Sequence, residues 1–301
     1  MGRAWVVGEA LIDLIPDSAG GQLAVVGGGA ANTARALSGL GVETNFVGGI
    51  SSDKYGQLIR RELGESGVDL SLAFVSDLPT ALAKVVVDDS GSASYEFLLE
   101  QTATFAFDKW KLPKGSASVV HIGTLVTIME PGSRVLFDWL SGIKAPIVFD
   151  PNVRPSVLDD RDEYRMTVEK WVEISSVVKV SDEDLSWLYP NQDHLKVINN
   201  WIRDGIRLVV MTRGAAGIRA INSDGVYEVP GIEVDVVDTV GAGDTVGAIV
   251  VEAIVEHGLD ELKNQRLTLV LERAAKAAAI TCSRAGAIPP LRGEIESYFL
   301  L

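Results

Sequence analysis

The chain has 301 residues, of which 47% are hydrophobic and 23% are charged, and its formal net charge is −14. Its length allows one large α/β core or two smaller domains, and its composition is ordinary for a soluble globular enzyme. The negative charge argues against nonspecific binding to nucleic acid or to an anionic membrane. The single cysteine, Cys282, excludes an internal disulfide and a cysteine-based zinc cluster.

The N-terminal region predicts short strands, a glycine turn and a helix. Apolar or alternating segments indicate strands at residues 4–8 and 9–15 and a third that reaches Val26, followed by Gly27-Gly28-Gly29. A helical pattern over residues 30–40 ends at Gly41, a residue that commonly terminates helices. A strand at 44–47, a turn at Gly48-Gly49 and a helix at 55–65 follow.

Residues 72–107 have a different character. The segments 80–87 and 92–98 are rich in strand-forming residues, and Asp88-Asp89-Ser90-Gly91 between them predicts a hairpin turn. Because no helical pattern intervenes, we expect this hairpin to leave the main sheet. Together with residues from about 10 to 27 it would form a small β lid.

From residue 119 the chain alternates strand and helix. Strands are predicted at 119–122, 147–149, 177–180 and 208–212, and helices at 133–140, 163–174, 183–188 and 194–203. A hairpin at 217–229 turns at Ser223-Asp224-Gly225, and helices at 262–282 and 294–300 close the chain. This alternation predicts an α/β fold, with a mostly parallel central sheet flanked by helices, as a single domain over residues 1–301.

The stretch Asp238-Thr239-Val240-Gly241-Ala242-Gly243-Asp244 is the strongest candidate for chemistry. It lies between an alternating segment at 232–237, predicted to be a strand, and a helical run at 246–257. Glycines at a helix start let free N–H groups bind an anion, and a carboxylate in the first turn can act as a base. The alternative is a glycine turn in which Asp244 is only a helix cap.

Two further motifs bear on the kind of enzyme. No G-x-x-x-x-G-K-[ST] sequence occurs, which argues against a P-loop kinase, and Gly27-Gly28-Gly29-Ala30-Ala31-Asn32 is only a near miss of a dinucleotide fingerprint. Asn32 and Asp13 could instead bind the hydroxyl groups of a polyol. The alternatives are that Asn32 caps its helix and that Asp13 is a solvated carboxylate at a strand end.

The chain resembles the ribokinase-like carbohydrate kinases, also called the PfkB family, over essentially its whole length. The first family signature matches GGGAANTARALSGLG with FVGGISSDKYGQLI, and the second matches DTVGAGDTV. The resemblance implies a ribokinase-like three-layer fold with a lid, and transfer of a phosphoryl group from ATP to a sugar. It identifies Asp244 as the catalytic base and Gly241, Ala242 and Gly243 as the anion hole.

The resemblance also implies the binding residues. Asp13, Gly28 and Asn32 match sugar-binding positions, with Gly27 as a neighbour, and Phe97 on the lid would face the sugar. The nucleotide side comprises Thr212, Gly214 and Gly217 in VMTRGAAG, and Ala275, Ala278 and Ala279 near the adenine. For the alanines close helix packing is an equal alternative, and for Phe97 a core contact under the lid.

Two cation sites are implied in the same way. The family's N-x-x-E motif, associated with Mg²⁺ and phosphate, is replaced here by Ser181 and Asp184 in KVSDEDL, and Asp184 could act through water. The alternative is an acidic helix start. Many members also bind a monovalent cation such as K⁺, which Asp238, Val240, Ser283 and Gly286 would hold.

Within the family, the segments GEALIDLIP, FDPNVRP and CSRAGA look most like fructokinases. Arg154 could reach the acceptor or a phosphate, or could pair with Asp159 or Asp160. We therefore expect fructose as the acceptor and fructose 6-phosphate as the product. The other possibilities are 2-keto-3-deoxygluconate, ribose or a nucleoside, and a non-catalytic sugar or nucleotide sensor on the same fold.

Location and assembly are less defined by the residues. The N-terminus shows no cleavable signal pattern and no apolar stretch could span a bilayer, so we expect a cytoplasmic protein. Apolar residues on the lid, such as Ala81 and Ala83, could pair with a second lid in a homodimer, or could cover the chain's own sugar.

Overall fold

A computed structural model describes residues 2–16, 21–87, 93–106 and 112–298. The predicted turn at 88–91, residues 17–20 and 107 of the predicted lid, and the last residues of the predicted C-terminal helix lie outside these ranges. In the described part no helix combines the length and apolar character needed to cross a membrane.

The main sheet has eight strands in the order β14-β13-β12-β11-β10-β9-β1-β4. All neighbours from β12 to β4 run parallel, while β13 and β14 form an antiparallel hairpin on β12. The strands are β1 Arg3–Val7, β4 Glu43–Val47, β9 Val119–Gly123, β10 Ile147–Asp150, β11 Val177–Ser181, β12 Leu208–Thr212, β13 Ile218–Asn222 and β14 Gly225–Val229.

Helices cover both faces of this sheet, which confirms the predicted α/β layers. One core cluster joins the sheet to α1, α7 and α8, and a second joins its other face to α3 through α6. The helices are α1 Gly29–Gly39, α2 Lys54–Glu65, α3 Gly132–Leu140, α4 Arg161–Ile174, α5 Asp182–Leu188, α6 His194–Arg203, α7 Ala242–His257, α8 Asn264–Cys282 and α9 Arg292–Ser297.

A second sheet contains four strands in the order β3-β2-β7-β8. The strands are β2 Leu11–Pro16, β3 Gln22–Gly27, β7 Leu82–Val87 and β8 Ala93–Leu98. Leu11, Ala81, Ala83 and Leu99 are buried with Leu125 in a separate small core, against which Phe97 packs. Ala81 and Ala83 therefore cover this chain's own interior and are not available to a second lid.

Two local predictions were wrong. Residues 232–237 form no strand, because this segment pairs with no neighbouring strand and leaves Val236 and Val237 exposed. Its alternation instead reflects a loop whose end is held by the N–H groups of Val237 and Asp238, both of which donate to the carbonyl of Cys282. The predicted turn at Gly48-Gly49 is also wrong, since Gly49 begins β5 (Gly49–Ser51), which pairs with β6 (Phe74–Ser76).

Candidate active site

The candidate site lies at the edge of the main sheet where its parallel strands end. At this edge β1 is followed by Glu9, β9 by Thr124, β10 by Asn152 and β11 by the start of α5. Ligands of open α/β sheets bind outside the carboxyl ends of the strands. The first turns of α1 and α7 meet at the same edge, as the contacts of Asp244 demonstrate.

Asp244 is buried in the first turn of α7 and points toward α1. Its Oδ2 accepts a hydrogen bond of 2.9 Å from Asn32 Nδ2, so residues from the two ends of the chain are in direct contact. The helix cap is Gly241, and Asn32 lies inside α1, whose cap is Gly28. Neither side chain is a helix cap, which removes the capping alternative for both.

Burial changes the acidity of Asp244. The pKa of its carboxyl is raised to about 6, mainly by loss of hydration. The Asp150 carboxylate contributes to the rise, while Lys179, the Asn32 hydrogen bond and Arg154 oppose it. A carboxyl with this pKa is ionised at neutral pH and is still basic enough to accept a proton. The residue is thus suited to general base catalysis.

At two positions of the predicted anion hole, glycine is favoured for steric reasons. Gly241 has φ of +80°, and a Cβ on it would lie 2.6 Å from Cβ of Ala287. A Cβ on Gly243 would lie 2.8 Å from Nζ of Lys179. Both positions therefore accept only glycine without movement of a neighbour. Ala242 between them is the first residue of α7.

The residues predicted to bind the sugar lie around a second glycine turn. Gly28 has φ of +102°, and a Cβ there would lie 2.7 Å from the carbonyl oxygen of Glu9, while a Cβ on Gly27 would overlap the Asp13 carboxylate. Burial raises the pKa of Asp13 to about 6. Asp13 is thus partly buried beside Gly27, so the alternative of a freely solvated carboxylate does not hold.

Glu9 stabilises this glycine turn through a hydrogen bond. Its Oε1 accepts a hydrogen bond of 2.9 Å from the N–H of Gly29, while its Oε2 is buried without a partner among the described residues. Loss of hydration raises the pKa of Glu9 to about 7, and the Asp244 carboxylate contributes to the rise. Glu9 and Asp244 are therefore two buried carboxyls that interact electrostatically.

Three polar groups converge beside Gly29. The position where a Cβ of Gly29 would stand lies 2.7 Å from Thr124 Oγ1, 3.2 Å from Asn152 Nδ2 and 3.4 Å from Asp244 Oδ1. Thr124 and Asn152 have φ of +58° and +40°, which is unfavourable for the β-branched Thr124, whereas Asn adopts it more readily. Backbone strain of the kind seen at Thr124 concentrates at functional sites, and here the Asn152 amide donates to Thr124 Oγ1 at 3.3 Å beside Gly29.

Arg154 follows β10 at the same edge of the main sheet, and its charge changes the pKa values of several of these groups. Its Nη1 donates to the carbonyl oxygens of Asn152 and Val153, at 3.2 and 3.0 Å. Its charge lowers the pKa values of Glu9, Asp13 and Asp244. The described residues contain no ion pair between Arg154 and Asp159 or Asp160, so that alternative is not realised.

Several of the residues predicted to bind the nucleotide lie at the ends of β11 and β12 or in the turn after β12. Ser181 and Thr212 are neighbours in the register of β11 and β12, and Gly214 and Gly217 have φ of +50° and +91° in the turn after β12. Ala275 and Ala279 are buried in α8, the helix that packs on α7, and Ala278 is partly buried. Helix packing therefore explains the small side chains of Ala275 and Ala279, as the alternative to a place beside the adenine.

Ser181 and Asp184 form a capping box at the start of α5. Ser181 Oγ accepts from the N–H of Asp184 at 2.9 Å, and the two Asp184 oxygens accept from the N–H groups of Val153 and Ser181 at 2.9 and 3.1 Å. The acidic helix start is therefore present. Asp184 retains free lone pairs, so it could still contact a hydrated cation.

Asp238 is hydrogen-bonded to two other residues of the second predicted cation site. Its Oδ1 accepts from the N–H of Val240 at 3.0 Å and its Oδ2 from the N–H of Gly286 at 2.9 Å. Ser283, at the end of α8, lies close to Gly286 in the sequence. Among the described residues, no group of three or more His, Cys, Asp or Glu side chains is placed to hold a metal ion, so any cation here would depend mainly on carbonyl oxygens.

Sequence reasoning missed four residues of this site: Glu9, Thr124, Asp150 and Lys179. Asp150 Oδ2 accepts a 2.9 Å hydrogen bond from Lys179 Nζ in an almost fully buried ion pair. A lysine in the middle of the apolar strand VVKVS is an available signal for this pair. The others carry no comparable signal, because only strand order brings them to Asp244.

Comparisons with known proteins agree with this geometry. The model of the pfkB family of carbohydrate kinases matches residues 1–293. A fructokinase of Rhizobium leguminosarum bv. trifolii is 34% identical over 276 residues, which cover 89% of this chain and 83% of that protein.

Solved structures extend the comparison. A fructokinase of Xylella fastidiosa with bound ATP has a TM-score of 0.89 at 24% identity, covering 99% of this chain and 98% of its own. A fructokinase of Vibrio cholerae O395 with fructose, ADP and calcium ion has a TM-score of 0.85 at 26% identity, covering 99% of both chains. A double mutant of it with fructose, ADP and potassium ion gives the same TM-score and identity, covering 99% of this chain and 98% of its own.

The buried Asp244 carboxylate is expected to destabilise the fold at high pH. Its pKa is raised from 3.8 to about 6, so its contribution to stability is present below pH 3.8 and is lost as pH rises through about 6. Asp244→Asn should raise the free energy of unfolding by about 1–3 kcal/mol at pH 8, and by less at pH 5. Urea denaturation at the two pH values measures the difference.

Asp224→Asn, in the turn between β13 and β14, is the matched control and should show no such pH dependence. An Asp244→Asn protein that is no more stable than the wild type at pH 8 would contradict the assignment of a strained buried charge.

Proposed function

The chain belongs to the pfkB family of carbohydrate kinases, and from that premise we propose that it transfers the γ-phosphoryl group of ATP to a primary hydroxyl of fructose, giving fructose 6-phosphate and ADP. The observation that carries the proposal is the buried Asp244, hydrogen-bonded to Asn32 and placed within the first turn after Gly241. A base beside an anion-binding helix start is the equipment that phosphoryl transfer to a hydroxyl requires.

Asp244 acts as the general base. Its carboxylate takes the proton of the acceptor hydroxyl as the hydroxyl oxygen bonds to the γ-phosphorus, and the bond from that phosphorus to the bridging oxygen of ADP breaks. The N–H groups of Gly241, Ala242 and Gly243 bind the charge that develops on the transferring group. Binding of that charge would replace the 3.3 Å hydrogen bond that the N–H of Ala242 donates to the carbonyl of Thr239.

Asp13, Asn32 and Arg154 orient the sugar. Asp13 can accept hydrogen bonds from two hydroxyls, and Gly27 and Gly28 let the sugar approach the backbone closely. Phe97 packs in the small core next to Ala83, the residue opposite Asp13 in the second sheet. It thus forms an apolar wall for the same sugar. A neutral ketohexose fits one carboxylate, one amide and one apolar wall.

The nucleotide lies on the side of Ser181, Thr212, Gly214 and Gly217, with its adenine near Ala275, Ala278 and Ala279. Bound Mg²⁺ neutralises phosphate charge in reactions of this class. Asp184, whose oxygens retain free lone pairs, would hold such an ion through water. The second sheet acts as a lid that excludes water, so that ATP is not hydrolysed in place of transfer.

Turnover across a panel of sugars tests the function. ADP release should be fastest with fructose compared with ribose, 2-keto-3-deoxygluconate and nucleosides. In Asp244→Asn, kcat should fall by about 10²–10⁴-fold while the affinity for fructose, measured by calorimetry, changes little. Asp224→Asn is again the control.

Each outcome of this panel has a distinct meaning. Faster turnover with another acceptor would replace fructose but keep the kinase. Binding of fructose and ATP without turnover on any sugar would favour a sensor. Near-normal turnover in Asp244→Asn would contradict the assignment of the base.

We also propose that a monovalent cation, K⁺ in the first instance, binds beside the anion hole at Asp238, Val240, Ser283 and Gly286. The hydrogen bonds from Val240 and Gly286 to Asp238 already hold three of these residues together. Potassium chloride should raise the melting temperature of the wild type relative to tetramethylammonium chloride at equal ionic strength, and Asp238→Ala should remove this difference. Identical melting temperatures of the wild type in the two salts would exclude the site.

A homodimer through the second sheet is the further part of the proposal. Ile15 and Leu23 face each other in the register of β2 and β3, they are exposed by 40% and 58%, and two copies could bury them together. Sedimentation velocity should therefore give a dimer at micromolar concentration, and Leu23→Lys should convert it to a monomer. A wild-type monomer would refute the proposed dimer.

Because ATP is supplied in the cytoplasm, we expect cell fractionation to recover the protein there.

A further inference from the structure

Lys179 lies in the middle of β11 and is almost fully buried. Its Nζ donates to Asp150 Oδ2 at 2.9 Å, and the two side chains are exposed by only 4% and 2%. Burial of such a pair costs hydration energy that the mutual attraction rarely exceeds, so stability is a weak reason for its presence. The position of the pair gives a better reason.

The Lys179 ammonium sits directly beneath the anion hole. Its Nζ lies 2.8 Å from the place where a Cβ of Gly243 would stand, so only glycine at 243 leaves room for it. On the same face of the sheet, His121 of β9 lies beneath Gly247, one helical turn further along α7. Both glycines therefore allow α7 to approach polar residues on the sheet.

Charged side chains from several strands, helices and loops influence Asp244. Neighbouring carboxylates oppose its ionisation, and the positive charges of Lys179 and Arg154 together with the Asn32 amide favour it. Burial and Lys179 keep His121 neutral by lowering its pKa to about 3. The titratable or charged groups facing this region are Glu9 after β1, His121 on β9, Asp150 and Arg154 at the end of β10, Lys179 on β11 and Asp184 on α5.

We propose that Lys179 is a positioning residue of the phosphoryl transfer: Asp150 holds its ammonium beneath Gly243, where it keeps Asp244 ionised as the base and adds positive charge behind the anion hole. The inference rests on the proposed kinase function. It assigns a role to an ion pair that neither binds the sugar nor forms part of the glycine turn.

The two members of the pair act on Asp244 in opposite directions. Lys179 lowers the pKa of Asp244 and Asp150 raises it, and the effect of Lys179 is the larger. Removal of Lys179 should therefore raise the pKa of Asp244, and removal of the Asp150 charge should lower it. A purely structural ion pair would give no such opposition, because loss of either partner would only reduce the folded fraction.

The test is the acid limb of the pH profile of kcat/KM, which reports the base of the free enzyme. With fructose and ATP, we expect the midpoints to rise in the order Asp150→Asn, wild type, the double variant Asp150→Asn/Lys179→Met, and Lys179→Met. The shift between the wild type and Lys179→Met should be about 1 pH unit, the lower end of the usual effect of a nearby opposite charge on a carboxyl. Glu9 is present in all four proteins, so the differences report the ion pair.

A control variant and the double variant make the result decisive. Lys170→Met removes a positive charge from exposed α4, where Lys170 lies 4.4 Å from the centre of the Phe137 ring, and its midpoint should equal that of the wild type. If Lys179→Met does not fold because Asp150 is left unpaired, the double variant, which removes both charges, should still give a midpoint above the wild type.

The outcomes separate the inference from the function beneath it. A wild type without turnover on any sugar would refute the proposed function. An active wild type whose midpoint is unchanged in Asp150→Asn and in the double variant, or shifts in the same direction in Asp150→Asn as in Lys179→Met, would overturn the role of Lys179. Midpoints in the stated order would support it.

Discussion

The hydrogen bond between Asn32 and Asp244 is the contact on which the site depends. It joins side chains 212 residues apart in sequence and brings the first turns of α1 and α7 to one edge of the main sheet. The glycines beside Asp13 precede the first of these turns, and the second follows the proposed anion hole. In the proposed reaction the sugar and the phosphoryl group would meet at this bond, because the acceptor hydroxyl has to reach Asp244.

Around this contact the protein buries charge that it could otherwise leave in water. Burial raises the pKa values of Glu9, Asp13 and Asp244 above their ordinary values. Arg154 and Lys179 provide the opposing charge within the same region. Burial of these carboxyls reduces stability, which is a common compromise at functional sites.

The strained residues fit the same picture. Thr124 and Asn152 adopt left-handed backbone conformations directly after β9 and β10, and their side chains converge with Asp244 beside Gly29. Each conformation costs free energy that only the surrounding packing can offset. The well-packed layers on both faces of the sheet therefore support an edge that is itself unfavourable.

The sequence by itself determined the α/β layers, the helices α1 and α7 and the position of the glycine turns, since periodicity and glycine placement are local properties. It led us wrong at residues 232–237, because an alternating pattern makes a strand only when a neighbour is available to pair. Only the tertiary structure decided that Asp244 contacts Asn32 and not its own helix, that Thr124 and Glu9 belong to the site, and that Lys179 lies beneath Gly243. These relations depend on strand order and on burial, which no local pattern records.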